Sequence, residues 1–115
     1  MAKNPIDWQE CLRINNQRED VALELLDMMK SELEQAKAGI LQSMEIRHWQ
    51  ILATHVHKLH GASCYCGTTT LRLIAANVEQ ALQSKAPKNI DALVKDLLAE
   101  IDRVQQALSD NNYRG

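Results

Sequence analysis

One stretch of the chain gathers most of the side chains that could do chemistry: His55-Val56-His57-Lys58-Leu59-His60-Gly61-Ala62-Ser63-Cys64-Tyr65-Cys66-Gly67. A neutral imidazole can attack phosphorus and form a phosphoramidate reactive enough to pass the group on, or it can ligate a metal. Around these residues Trp49, Leu52, Val56, Leu59, Ser63 and Cys66 step by three and four, which predicts a helix from about Glu45 to Cys66. At roughly 100° per residue, with Val56 at the centre of the buried face, Leu52, Leu59 and Ser63 fall close to it. His57 falls about 100° away, at the solvent edge. Gly61 lies one turn further on the same side, where a glycine costs about 1 kcal/mol relative to alanine. Its missing side chain would let a partner surface come close enough to the imidazole for in-line transfer.

By helical position the neighbours of His57 are Gln50, Ala53, Thr54, Lys58, Gly61 and Cys64, mostly small or polar, and they form the expected docking surface. His60 suits either a hydrogen-bonded place at the core edge or one facing a phosphoryl group, while His48 and His55 read as surface or packing residues. Gly67 falls near the buried face, which suits close helix packing or a helix end. A second reading is a metal site, because His57, His60 and Cys64 are spaced i, i+3 and i+7 along one side of a helix, although a closed zinc site would need a fourth ligand. A third is a non-catalytic interaction bundle using the strip Val21, Leu25 and Met28, but it leaves Gly61 unexplained. Cys64 and Cys66 point about 200° apart on a helix and are poorly placed to pair, so packing is the expected use of Cys66.

The elements needed to position this stretch are legible as apolar periodicity. A short helix is predicted from about Ile6 to Asn15, with Trp8, Cys11, Leu12 and Asn15 at helical spacing and Asn15-Asn16 as its stop. A long one runs from about Arg18 to Met44 through Ala22, Leu26, Met29, Leu33, Ala36, Ile40 and Met44. Thr68-Thr69-Thr70 can cap a helix carrying Leu71, Ala75, Val78 and Leu82, which Lys85-Ala86-Pro87 interrupts. The last, from about Asn89 to Leu108, repeats Ile90, Leu93, Leu97, Ile101, Val104 and Leu108, with Asp110-Asn111-Asn112 as a frayed polar tail. The expected fold is all-α, an antiparallel four-helix bundle with a short extra N-terminal helix. At 115 residues it forms one domain, with a core over about 7–108 and short flexible tails.

Composition narrows the function classes. Apolar residues make up 45% of the chain, yet it has no Phe and only two Trp and two Tyr, a palette suited to helices. A net charge of −2 without a basic run gives nucleic-acid binding little support. No apolar run approaches the ~18 residues of a membrane span, and three cysteines without C-x-x-C spacing fit a reducing cytoplasm. No Gly-rich nucleotide loop or DFG-like metal motif is present, so no autonomous kinase activity is expected.

The pattern His57-x-Leu59-x-Gly61, then Gly67, Leu71 and Glu79, resembles that of the histidine-containing phosphotransfer (HPt) family around its phosphorylated histidine. With His57-Lys58-Leu59-His60-Gly61, Trp8 and the Val21-to-Met29 stretch, the chain is most similar to the C-terminal HPt domains of BarA/GacS-type hybrid sensor kinases, over roughly residues 7–108. The resemblance implies a four-helix bundle that receives a phosphoryl group on His57 from a receiver-domain aspartate and delivers it to that of a response regulator, with His60, Gly61 and Lys58 next to the phosphoryl group. It implies no metal or cofactor of the chain's own, with Mg²⁺ held by the partner receiver. It also implies a monomer in the cytoplasm, either free-standing or as the cytoplasmic end of a membrane-anchored kinase. Many HPt domains carry lysine three positions after the active histidine, whereas this chain has His60, and the BarA-like subset tolerates histidine there. A lysine is a fixed cation, while a free imidazole titrates near neutrality, so the electrostatic help at this position differs.

Overall fold

In a computed structural model, described for residues 4–84 and 87–114, the chain folds into five helices: α1 (Trp8–Ile14), α2 (Glu19–Glu45), α3 (Trp49–Ser63), α4 (Thr69–Ala81) and α5 (Ile90–Asp110). The four longer helices close a ring, α2 packing on α3, α3 on α4, α4 on α5 and α5 back on α2, while α1 lies against α2. The expected all-α four-helix bundle with an extra N-terminal helix is what forms. Its core is the predicted stripe on each helix, from Ala22, Leu26, Met29, Leu33 and Ile40 on α2 to Val94, Leu97, Ile101 and Val104 on α5. Lys85 and Ala86, part of the predicted break before α5, lie outside the described residues.

Local chemistry sets the ends and corrects several predicted boundaries. Glu45, Ile46 and Arg47 look compatible with a helix running straight into the next, yet α2 stops at Glu45 and the chain turns through Arg47 at φ +54°. α3 therefore begins at Trp49 rather than near Glu45. His48 caps it, Nδ1 accepting the Ile51 backbone N–H at 3.2 Å, which gives His48 a defined role beyond a surface residue. At its other end α3 stops at Ser63, so Cys66 and Gly67 belong to the following turn. Thr68 occupies the N-cap position of α4 without capping it through its side chain, because its hydroxyl donates instead to the Ser63 carbonyl at 3.1 Å. On α2 the innermost position of the last turn is Ser43 rather than Met44, its hydroxyl satisfied by the Gly39 carbonyl at 2.6 Å. His55 packs over Gly39, where a Cβ would come within 2.4 Å of the imidazole.

The core extends past both ends of the predicted 7–108 span. Ile6 is fully buried, and the expected frayed tail is ordered by packing: Asn111 closes α5 in a left-handed conformation, its N–H donating to Ala107, and Tyr113 packs on Trp8 with ring centroids 6.0 Å apart. Arg114 stacks over the same indole and pairs with Glu19.

The turn between α3 and α4 is clasped by α1. The Asp7 N–H donates to the Gly67 carbonyl at 2.8 Å, and Asn15 Nδ2 donates to both the Cys11 and Tyr65 carbonyls. Gly67 has φ +69°, and a Cβ there would sit 2.3 Å from the Asp7 carbonyl oxygen, so both backbone conformation and close approach require glycine. Burial, and then the neighbouring Cys11, push the Cys66 thiol up to about 12, and it remains a protonated packing group at neutral pH. Gly67→Ala is expected to destabilise the domain by roughly 2 kcal/mol or more, read as a lower urea midpoint, because it adds left-handed strain to a backbone clash.

Glu100 on α5 is the buried charge of this core, 3% exposed, with Oε1 held by Arg103 at 2.8 Å and Oε2 without a hydrogen-bond partner. Desolvation lifts its carboxyl above the ordinary range against the opposing pull of Arg103. A folded-state pKa above the unfolded one means that the native state holds the extra proton, so this contribution is present below the unfolded value and is lost as pH rises through the folded one. Glu100→Gln has no such titration, so its stability relative to wild type is expected to increase as pH is raised from 4 to 8. Urea midpoints measured across that range check the sign.

Candidate phosphoacceptor site

The site is built where α3 faces α4. Val56, Leu59 and Leu52 are buried to within 1% and fix the rotation of α3, which leaves the His57 side chain 78% exposed at the helix edge. From α4, whose own rotation is set by buried Leu71, Ala75 and Val78, Glu79 reaches across to α3. His57 Nδ1 lies 3.0 Å from Glu79 Oε2, and His60 Nδ1 lies 2.8 Å from Oε1. Oε1 is itself buried and receives no hydrogen bond, so the contact with His60 is one of proximity rather than an aligned bond.

The first contact fits one tautomer of a neutral His57 facing an ionised Glu79. An ionised carboxylate only accepts, so Nδ1 carries the proton that binds Glu79, and the Nε2 lone pair is left free on the exposed side of the ring. That is the form of imidazole that attacks an electrophile. An attack from Nε2 would put positive charge on the ring and strengthen the Nδ1–H bond to the carboxylate.

The residues singled out from sequence separate into groups. His57 and His60 are brought together, with His60 at the half-buried core edge and turned to Glu79. Gly61 is exposed, and a Cβ built there meets nothing within 4 Å, so the fold itself does not require a glycine at this position. Lys58 is exposed but leans towards α2, its Nζ 3.8 Å from Glu32 Oε2, rather than towards the carboxylate that holds His57. Gln50 and Thr54 are exposed and joined by a local bond, Thr54 Oγ1 to the Gln50 carbonyl at 3.0 Å, and Ala53 is half-buried. Cys64 turns its Sγ back to the His60 carbonyl at 3.3 Å. It therefore does not join the histidines as a ligand: among the described residues, the group whose ligand atoms converge is His57, His60 and Glu79.

Two features escaped the sequence reading. Glu79 was visible only as part of the motif, because its role depends on how α4 registers against α3. Beside Lys58, a groove of about 210 Å³ is lined by Leu25, Met28, Ala62 and Tyr65, and Met28 and Tyr65 are each 58% exposed. Of the strip Val21, Leu25 and Met28, set apart earlier as a separate interaction face, Leu25 and Met28 thus adjoin the histidine helix. A Tyr65 that had stayed in α3 would have been easier to place; it lies in the turn.

A helical bundle that presents one imidazole in this way has the form of a phosphohistidine carrier, and the chain belongs to the Hpt domain family, whose model residues 24–107 match. Phosphotransfer in two-component signalling is the function that this family membership and the relatives support. Among those relatives is the sensor protein GacS of Pseudomonas syringae pv. syringae, 31% identical over 100 residues, which cover 87% of this chain and 11% of that protein. The signal transduction histidine-protein kinase BarA of Escherichia coli K12 is 27% identical over 105 residues, 90% of this chain and 11% of that one. The chain thus spans about a tenth of the length of these sensor kinases. It is 25% identical over 91 residues to the phosphorelay intermediate protein rdeA of Dictyostelium discoideum, 79% of this chain and 36% of that protein. The crystal structure of the HPT domain of a sensor hybrid histidine kinase from Shewanella superposes with a TM-score of 0.89 at 28% identity, covering 97% of both chains.

Because Gly61 sits mid-helix with open space around it, Gly61→Ala is expected to raise stability by about 0.5–1 kcal/mol. A higher urea midpoint would show that the glycine is retained at a cost to the fold.

Proposed function

We propose that Nε2 of His57 accepts a phosphoryl group from the aspartyl phosphate of one receiver domain and passes it to the aspartate of a second. In the first step the Nε2–P bond forms as the aspartyl O–P bond breaks, freeing the carboxylate of the donor. The ring, protonated at Nδ1, carries the resulting positive charge against Glu79. The second step reverses this order at the new aspartate.

The observation that carries this reading is the His57–Glu79 contact at 3.0 Å on an otherwise exposed imidazole. It sets the nucleophilic tautomer and provides a counter-charge on the far side of the ring from the incoming phosphorus. Phosphoryl transfer depends mainly on positioning and charge neutralisation. Glu79 and Glu32 near this helix are acidic, so neutralisation of the phosphoryl oxygens falls to the partner, whose receiver would hold Mg²⁺. Gly61 gives that partner room beside the imidazole, and the small or polar side chains Gln50, Ala53, Thr54 and Cys64, extended by Met28 and Tyr65, make up the docking face. The chain on this reading is a cytoplasmic, monomeric carrier without kinase activity of its own, and Lys58 attracts the acidic rim of a receiver.

The test is transfer of label from a phosphorylated receiver in Mg²⁺. Wild type is expected to gain acid-labile, base-stable phosphate and His57→Gln none. Glu79→Gln keeps a hydrogen-bond acceptor but removes the counter-charge, and is expected to slow transfer by roughly tenfold, the scale of losing a charge-assisted hydrogen bond. Label on His57→Gln equal to that on wild type would overturn the assignment.

A further inference from the structure

The cluster that orients His57 contains more donor chemistry than orientation requires. Two imidazoles and one carboxylate converge from α3 and α4, with one ligand atom from each residue lying within 4.8 Å of the others. Their pairwise contacts of 3.0 and 2.8 Å run to different oxygens of the same carboxylate, one of which is buried without a hydrogen bond. We propose that His57, His60 and Glu79 form a binding site for a divalent transition ion such as zinc, and that an ion bound there blocks the phosphoacceptor.

The donor set fixes the class of ion. Two nitrogens and a carboxylate oxygen suit zinc and its neighbours, whereas Mg²⁺ requires oxygen ligands in octahedral array. Zinc–ligand bonds of about 2.0–2.1 Å place tetrahedral donors about 3.3 Å apart. The two contacts to the carboxylate need to open by a few tenths of an ångström, while the widest donor pair, within 4.8 Å, needs to close by up to about 1.5 Å, a movement that the exposed His57 ring is free to make. Three protein ligands leave a fourth position, and the exposure of His57 opens it to water. His60 is the residue that makes the site possible. A protonated lysine at position 60 would add a positive charge and no lone pair, while an imidazole adds a ligand.

Binding and nucleophilicity exclude one another by proton bookkeeping. The neutral His57 imidazole has one N–H, placed on Nδ1 by Glu79. An ion coordinated at Nδ1 requires that lone pair, so the proton moves to Nε2 with no net release, and the lone pair that would attack phosphorus is gone. Metal binding by itself does not depend on the proposed phosphotransfer; the inhibition does.

The full chain is titrated with ZnCl₂ by calorimetry, and with CoCl₂ for the visible absorption of a tetrahedral site, alongside His60→Gln, Glu79→Gln and Cys64→Ser. One zinc per chain is expected, with affinity at least tenfold weaker in His60→Gln and Glu79→Gln and unchanged in Cys64→Ser. Phosphoryl acceptance from a receiver in excess Mg²⁺ is then compared with and without saturating zinc. The ratio of initial rates should be large for wild type and near one for His60→Gln, which also shows that zinc is not acting on the receiver. Undiminished binding in His60→Gln or Glu79→Gln, or binding lost in Cys64→Ser, overturns the site. Zinc bound as described on a chain that takes no label even without zinc keeps the site and sinks the phosphotransfer reading instead.

Discussion

Everything at this site depends on the pairing of α3 with α4. A carboxylate on one helix must meet imidazoles on the other, and the meeting fails if either helix slides or rotates by a fraction of a turn. Rotation is fixed by the buried stripes, Val56 and Leu59 on α3 and Ala75 and Val78 on α4. Sliding is fixed in the turn between them, where α1 reaches over, its Asp7 N–H holding the Gly67 carbonyl and Asn15 holding that of Tyr65. The short N-terminal helix, which adds Trp8 and Cys11 to the core, thereby also fixes the register that delivers Glu79 to His57. A side chain at Gly67 would break that clasp well away from the chemistry.

This arrangement explains which parts were legible from sequence. Helix existence follows from apolar spacing, a local property, so all five helices and the exposure of His57 could be read directly. Boundaries follow from single hydrogen bonds that composition does not announce. Glu45-Ile46-Arg47 contains no glycine or proline, and the stop there comes from Arg47 adopting positive φ and His48 offering its ring nitrogen to Ile51. Thr68 looked like a cap and spends its hydroxyl on Ser63 instead. Tyr113 seemed part of a polar tail because its partner, Trp8, is over a hundred residues away in the chain. The histidine was recognisable from its own helix, but the role of Glu79 was not, since it exists only once two helices are in register. Cys64 had the helical spacing of a ligand and still turned away, its Sγ lying against the His60 carbonyl one turn back.

The contrast between His57 and Glu100 shows how the chain separates stability from activity. Glu100 is buried with one oxygen unpartnered, and desolvation raises its pKa, a cost the fold carries without any visible use in the site. Glu79 also has an unpartnered buried oxygen, but its second oxygen does work at the surface by fixing a tautomer. Gly61 is a third concession, a helix-weakening residue where the fold has room for a larger one. The concessions on α3 and α4 lie together at one edge and face outward. The remaining interior is closed by aliphatic packing, which lets that edge be tuned without loss of the bundle.

The electrostatics of the edge carry the argument one step further. Had the residue at 60 been a lysine, the site would contain a permanent cation able to draw phosphoryl oxygens. With His60 that fixed cation is replaced by a second imidazole, and Glu79 turns one oxygen to each ring. The hydrogen bond to His57 uses one oxygen, and the other, buried and without a hydrogen bond, stays beside His60. The pair of imidazoles offers lone pairs to a metal ion, whereas a protonated lysine offers none and would draw chiefly anions. A single substitution within one helical turn thus changes what the same backbone geometry can sense, while leaving the exposed nucleophile and its glycine in place.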